Sequence, residues 1–244
     1  MARLLAALTL ALAAVAVFAT APAAASGPYY ARGAVGYDAS VYQCGGGPRG
    51  AFAIIAANNG RPFTQNSCLA RELAAAPASP PAAVYINTGY SPAYASKITA
   101  TCAARSLSVK GTALQRQAYA IGCSEVATTR DYIYRATGKR VRSWWLDVET
   151  ANSWSSTNLE LNRAMLRGAI DYLKPLGAYI GLYTTARQWN EVTGGWNAPG
   201  LDANWVAGAR SPAEAALMCD SSITGAPVWM VQYVRAGLDL NRSC

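Results

Sequence analysis

The chain of 244 residues contains no histidine. That absence excludes Ser-His-Asp and Cys-His catalysis and His-ligated zinc of the peptidase or deacetylase kind. Any chemistry must come from carboxylates, Tyr, Lys, Arg or a bare hydroxyl. Acids are also scarce, with thirteen Asp and Glu against twenty-one Lys and Arg and a formal charge of +8 at pH 7. No CxxC pair is present, which argues against a structural metal site. Lysines are few (Lys97, Lys110, Lys139 and Lys174) and there is no Lys/Arg run. Nucleic acid is therefore not the expected partner, and for an exported protein an anionic cell wall suits the positive surface better. The charge is equally compatible with a simple role in solubility. No cofactor is implied.

The N-terminus reads as a targeting segment. Arg3 precedes an apolar run from Leu4 to Phe18, followed by Ala21-Pro22-Ala23 and a small-residue stretch ending near Ala25. This is the pattern of a secretory signal peptide. The run is short for a membrane anchor, which needs roughly 20 apolar residues. We expect a signal over residues 1–25 and one domain over 26–244, secreted, free of the membrane after cleavage and monomeric. The six cysteines, Cys44, Cys68, Cys102, Cys123, Cys219 and Cys244, all follow this segment. In an oxidising compartment an even number favours disulfides. Pairing between sequence neighbours is expected: Cys44–Cys68, Cys102–Cys123 and Cys219–Cys244.

Along the rest of the chain, strand-like and helix-like segments alternate. Strands are expected at Ala34–Ala39, Phe52–Asn58, Ala82–Thr88, Val141–Val148, Ala178–Tyr183, Ala203–Ala207, Val228–Tyr233 and Leu238–Asn241. Helices are expected at Ser67–Ala76, from about Thr112 to Thr137, from a cap at Ser155 or Ser156 to Leu176, and over Pro212–Cys219. Alternation of this kind argues for an α/β fold of parallel βαβ units. Several strands are apolar at every position, as when both faces are buried. The predicted fold is an irregular (β/α) TIM-type barrel, irregular at its end because the late strands leave little room for helices. A doubly wound open sheet is the alternative, lowered by the lack of a glycine-rich fingerprint after the first strand.

Nine of the acids fall in helix-like or loop-like contexts and read as solvated, among them Glu72 and Glu125. The other four, Asp38, Asp147, Glu149 and Asp239, lie late in strand-like segments. Carboxylates are depleted from strands and costly to bury unpaired, and strand C-termini converge on one face of a barrel. These four are the candidate catalytic residues. In Trp144-Trp145-Leu146-Asp147-Val148-Glu149 the two acids are two apart, so they share a face. Their proximity should raise one proton affinity, as a general acid requires. The plain alternative is a salt bridge to an Arg such as Arg142. Aromatic residues near strand ends (Trp144, Trp145, Tyr183, Trp189, Trp229 and Tyr233) could stack on sugar rings or be core. Tyr183, Asn58, Asn87, Gln232 and Trp189 are the candidate substrate-binding residues.

Four segments together resemble family 25 of the glycoside hydrolases, the lysozyme-type muramidases. They are Gly36-Tyr37-Asp38-Ala39-Ser40, Leu146-Asp147-Val148-Glu149, Gly181-Leu182-Tyr183-Thr184, and Val228 to Tyr233 followed by Gly237-Leu238-Asp239-Leu240-Asn241. The resemblance implies a (β/α) barrel that cleaves the β-1,4 bond between N-acetylmuramic acid and N-acetylglucosamine in peptidoglycan. It implies Glu149 as general acid, Asp147 as its helper through the substrate acetamido group, and Asp38 and Asp239 as the acidic floor. Two places depart from the pattern. Asn58-Asn59-Gly60 stands where an acid before glycine is usual, and Tyr85-Ile86-Asn87 where a histidine follows tyrosine. The departures leave open a hydrolase of another polysaccharide, or a wall-binding barrel without activity.

Overall fold

A computed structural model describes residues 29–44 and 49–244. The expected signal segment over residues 1–25 lies outside them. Burial along the strands explains the architecture. In β4 (Ser143–Asp147) every residue is buried, because the strand has cover on both sides. Side chains alternate between those sides. Trp144 and Leu146 pack outward with helical residues such as Met165 and Leu166. Trp145 points inward, with Phe52, Ile54, Trp205 and Trp229.

The same alternation holds around a closed barrel of eight strands. The other strands are β1 (Val35–Ala39), β2 (Ala53–Ala56), β3 (Ala83–Asn87), β5 (Tyr179–Thr184), β6 (Ala203–Ala209), β7 (Val228–Arg235) and β8 (Leu238–Ser243). From β1 through β7, neighbouring strands run parallel. β8 closes the barrel antiparallel to both β7 and β1. The expected irregularity at the end of the barrel takes this form, since Ala236 and Gly237 turn β7 directly into β8 without a helix, both at positive φ. Aromatic rings fill the interior only because small residues face them. A Cβ at Gly181 would strike the Trp145 ring, and one at Gly36 the Phe52 ring.

Among the described residues six α-helices cover the outside: α1 (Leu69–Ala75), α2 (Ala100–Ser106), α3 (Ala113–Thr137), α4 (Leu159–Leu173), α5 (Ala186–Thr193) and α6 (Pro212–Leu217). α3 has the predicted limits. Thr112 and Gln115 form a reciprocal capping box, and Gly138 ends the helix in the left-handed conformation. α4 does not start as expected. Neither Ser155 nor Ser156 caps it. Instead the buried Asn162 side chain, inside the first turns, ties the Ser155 backbone and also donates to Val192 O at 2.8 Å. Two helices, α2 and α5, were not anticipated from the sequence. α3 and α4 approach at Gly122 and Gly168, where a Cβ on either would run into the partner backbone at Met165 or Tyr119.

All three disulfides form as expected, Cys44–Cys68, Cys102–Cys123 and Cys219–Cys244. Each closes a loop of 21 to 25 residues, which the chain-entropy picture values at roughly 3 kcal/mol apiece. Among the described residues no helix is long and apolar enough to cross a membrane.

Candidate active site

Strand register builds the site. Asn87 is aligned with Asp147, Asp147 with Tyr183, and Tyr183 with Trp205 across β3, β4, β5 and β6. These four residues form one layer at the C-terminal end of the barrel. On the closing side, Asn241 of β8 is aligned with Gly36 of β1 and with Gln232 of β7. Asp38, two residues past Gly36, comes up on the same inward face. Glu149 continues that face of β4 beyond the end of the strand. Leu146 and Val148, between the acids, are buried in the outer core, as their alternation predicts.

Asp239 reaches this face by a different route from the one expected. It stands second in β8, not late in it. Because β8 is antiparallel, its start rather than its end meets the C-terminal ends of the other strands. Asp239 is consequently close enough to raise the proton affinity of both Glu149 and Asp38. The four acids Asp38, Asp147, Glu149 and Asp239 therefore form one cluster.

Two hydrogen-bonded chains hold it. Asp38 Oδ2 accepts from Gln232 Nε2 at 3.0 Å and Asn241 Nδ2 at 2.7 Å. Asn241 in turn accepts from Trp205 Nε1 at 2.7 Å, and Gln232 accepts from the Tyr183 hydroxyl at 2.8 Å. On the other side Asn87 Nδ2 donates to Asp147 Oδ2. The Asn58 side chain clamps the Asn87 backbone, donating to its carbonyl at 3.0 Å and accepting from its N–H at 3.2 Å. Asp147 Oδ1 is buried and has no hydrogen-bond partner. Among the described residues no arginine forms an ion pair with Asp147 or Glu149, so the alternative of an Arg142 salt bridge fails. Arg142 precedes β4, at the opposite end of the barrel.

Burial and crowding raise the proton affinity of every acid here. Asp38 is pushed up to about 7, mainly by desolvation, with its two amide donors opposing the shift and Asp239 adding to it. Asp147 is raised well above the ordinary carboxylate range by desolvation and then by the charges of Glu149 and Asp38. Glu149 is raised by desolvation and Asp239, against the pull of the Tyr183 hydroxyl. Asp239 is raised by partial burial. Protons are thus retained in this cluster at pH values where exposed carboxylates would be ionised. A cleft of about 450 Å³ opens beside Glu149, walled by Tyr183, Gln188, Gln232 and the Ala207–Gly208 stretch. At that stretch the β6–β7 register slips, a bulge beside the site.

The binding candidates divide. Tyr183, Gln232 and Asn87 touch the acids or each other. Asn58 does not reach the cleft with a free group, since its amide is spent on the Asn87 backbone and it is 1% exposed. Trp189 is corrected to a core residue. It is 2% exposed in α5, stacks on Trp196 and donates its indole N–H to Trp196 O, so neither ring face is free for a sugar. Trp144, Trp145, Trp229 and Tyr233 are core as well. Tyr85, Trp205 and Asn241 were missed as site residues. Tyr85 lies close enough to Asp38, Asp147 and Asp239 to be raised by their charge, and its period-two relation to Asn87 was the signal available.

Glu72 and Glu125 correct another expectation, for both are buried rather than solvated. Glu72 accepts from Asn66 Nδ2 at 2.7 Å. Both oxygens of Glu125 in α3 lack partners, and burial raises its proton affinity strongly.

Comparison with known proteins finds a family and several relatives. The family described as Lysozyme-like protein 1 matches residues 86–207, half of the chain and the span from β3 through β6. Lysozyme-like protein 3 of Caenorhabditis elegans is 38% identical over 65 residues, 25% of this chain and 20% of that protein. "Probable GH family 25 lysozyme 4" of Dictyostelium discoideum is 40% identical over 65 residues, 25% of this chain and 30% of that protein. "Probable GH family 25 lysozyme 5" of the same organism is 29% identical over 75 residues, 30% of this chain and 34% of that protein. The chain spans between a fifth and about a third of the length of these curated relatives. No solved structure matches. With the matching family covering half of its length, the chain belongs to the lysozyme-like protein family.

Proposed function

We propose that this protein is a secreted, monomeric glycoside hydrolase on an irregular TIM-type barrel. Its substrate is bacterial cell-wall peptidoglycan, cleaved at β-1,4 glycosidic bonds without a cofactor. The observation that carries this reading is the cluster of Asp38, Asp147, Glu149 and Asp239 at one end of the barrel, with raised proton affinities and an open cleft beside Glu149. The relatives' names agree with it.

In this mechanism Glu149 enters the reaction protonated and gives its proton to the glycosidic oxygen as the C1–O bond breaks. Positive charge grows on the sugar ring, and the carboxyl oxygens of Asp38, Asp147 and Asp239 stabilise it, whether ionised or as aligned dipoles. Asp147 orients the substrate acetamido group through its carboxyl, whose Oδ1 has no hydrogen-bond partner within the protein. Water adds to C1 and its proton returns to Glu149, which restores the starting state. The Tyr183–Gln232–Asp38 chain fixes the floor so that little reorganises as charge develops.

The test is reducing-end release from purified peptidoglycan by the protein and its Glu149→Gln variant. Release by the first alone supports the proposal. Equal release by both removes Glu149 from the mechanism, and no release by either removes this substrate.

A further inference from the structure

We infer that the end of the barrel opposite the carboxylates is a second binding surface, for a polymer of phosphate-linked sugar or polyol units. The inference goes beyond the hydrolase reading and does not depend on turnover.

The surface is made by the segments that lead into strands. Lys139, Arg140 and Arg142 lie in the irregular stretch between α3 and β4, and all three are exposed. Arg142, the nearest of them, stands five residues before Asp147 along β4, about 17 Å at about 3.3 Å per residue. The α3 C-terminus adds Arg135, also exposed. Among the described residues none of these four cationic side chains takes part in an ion pair. Asp131 is the one acid lining the adjoining grooves, and Arg130 lies 4.0 Å from it.

The cations do not stand on a flat face. The 139–142 stretch forms a ridge between two grooves. One, of about 530 Å³, is lined by Tyr134, Trp144 and Leu176. The other, of about 310 Å³, is lined by Tyr29, Pro77 and Pro81. Arg140 is held over the Tyr134 ring at 5.9 Å, which keeps its guanidinium at the rim. Tyr134 and Leu176 are 54% and 48% exposed, so apolar contact area is available next to the charges.

This combination selects a ligand. Apolar walls suit the carbon skeleton of a sugar or polyol, and arginine forks suit phosphate. Three cations within four consecutive residues span at most about 11 Å of backbone. Such density matches a polymer with one charge on every unit better than glycan strands with sparse carboxylates. Bound there, the polymer would tether the protein while the opposite end of the barrel stays free to engage the glycan.

The test is retention on purified Gram-positive cell walls, native or stripped of phosphate polymer with hydrofluoric acid. Every protein carries Glu149→Gln, so hydrolysis does not enter the reading. The Lys139→Gln/Arg140→Gln/Arg142→Gln variant is compared with Lys97→Gln/Lys110→Gln/Arg167→Gln, which removes the same charge from other exposed positions. We expect the first triple variant to lose at least tenfold in retention on native walls, the second less than threefold, and soluble poly(glycerol phosphate) to displace the parent. If the first triple variant does not fold, Lys139→Gln/Arg142→Gln replaces it, with at least threefold loss expected. Equal loss by both triple variants, full retention on stripped walls, or displacement by duplex DNA at the same phosphate concentration as poly(glycerol phosphate) overturns the inference.

Discussion

The side-chain amide of Asn241 donates to Asp38 at 2.7 Å. This bond joins the last strand of the barrel to the first and is one of two side-chain hydrogen bonds that moderate the proton affinity of Asp38. Replacing Asn241 with Ala removes it and also orphans the buried Trp205 indole N–H. We expect Asp38 to titrate above its present value of about 7, read by carboxyl-carbon NMR. Stability should fall by about 1–3 kcal/mol, the usual result of leaving a buried donor unpaired.

Hydrolysis should show an alkaline limit. Glu149 must be protonated to act as an acid, and its affinity is raised by burial and Asp239 while the Tyr183 hydroxyl opposes that rise. Activity is therefore present below the raised Glu149 value and lost as pH climbs through it. Tyr183→Phe removes the opposing hydroxyl, so the alkaline limb of kcat/KM moves to higher pH even as the maximal rate drops. A limb that moves to lower pH contradicts this account of Glu149.

Glu125 makes a separate prediction about stability. Its folded proton affinity is raised far above the ordinary Glu value, with burial the cause. The unfolded state ionises near the ordinary Glu pKa, so stability is fully present below that pH and declines as pH rises toward the folded value. Glu125→Met abolishes this slope. The variant should gain on the order of 1–3 kcal/mol at pH 7 and little at pH 4, measured by urea unfolding. An equal gain at both pH values means that Glu125 is not the titrating group.

The α3–α4 contact should tolerate no added atoms. Gly122→Ala forces a methyl group into the Met165 backbone, with an expected cost of about 3 kcal/mol or more. Gly138→Ala, at the exposed end of α3, meets nothing within 4 Å. Its cost is the positive φ of 66° alone, about 1 kcal/mol. Thermal unfolding of the two variants ranks them directly.

Much of this was legible in the sequence, for identifiable reasons. Strand positions followed from apolar runs, α3 from Thr112 and Gly138, and the disulfides from sequence neighbours. The Asp147–Glu149 pair was readable because a period of two is a local property. What the sequence concealed was long-range. Nothing local marks β8 as antiparallel, and that reversal is what places Asp239. Trp205 and Asn241 are 36 residues apart, and only barrel closure makes them partners. Trp189 was misread because an aromatic residue near a strand end looks the same whether it faces a cleft or the core. The burial of Glu125 was hidden because helical acids are normally solvated.

Closure by β8 also sets the order in which the site can come into being. Asp38 belongs to the first strand, yet its two amide donors, Gln232 and Asn241, follow 194 and 203 residues later. During synthesis the first carboxylate emerges long before anything exists to hold it. A chain stopped before β7 and β8 has Asp147 and Glu149 but lacks the anchors of Asp38 and the whole of Asp239. The acidic cluster is therefore a property of the closed ring, and a chain that stops short of β7 does not have it.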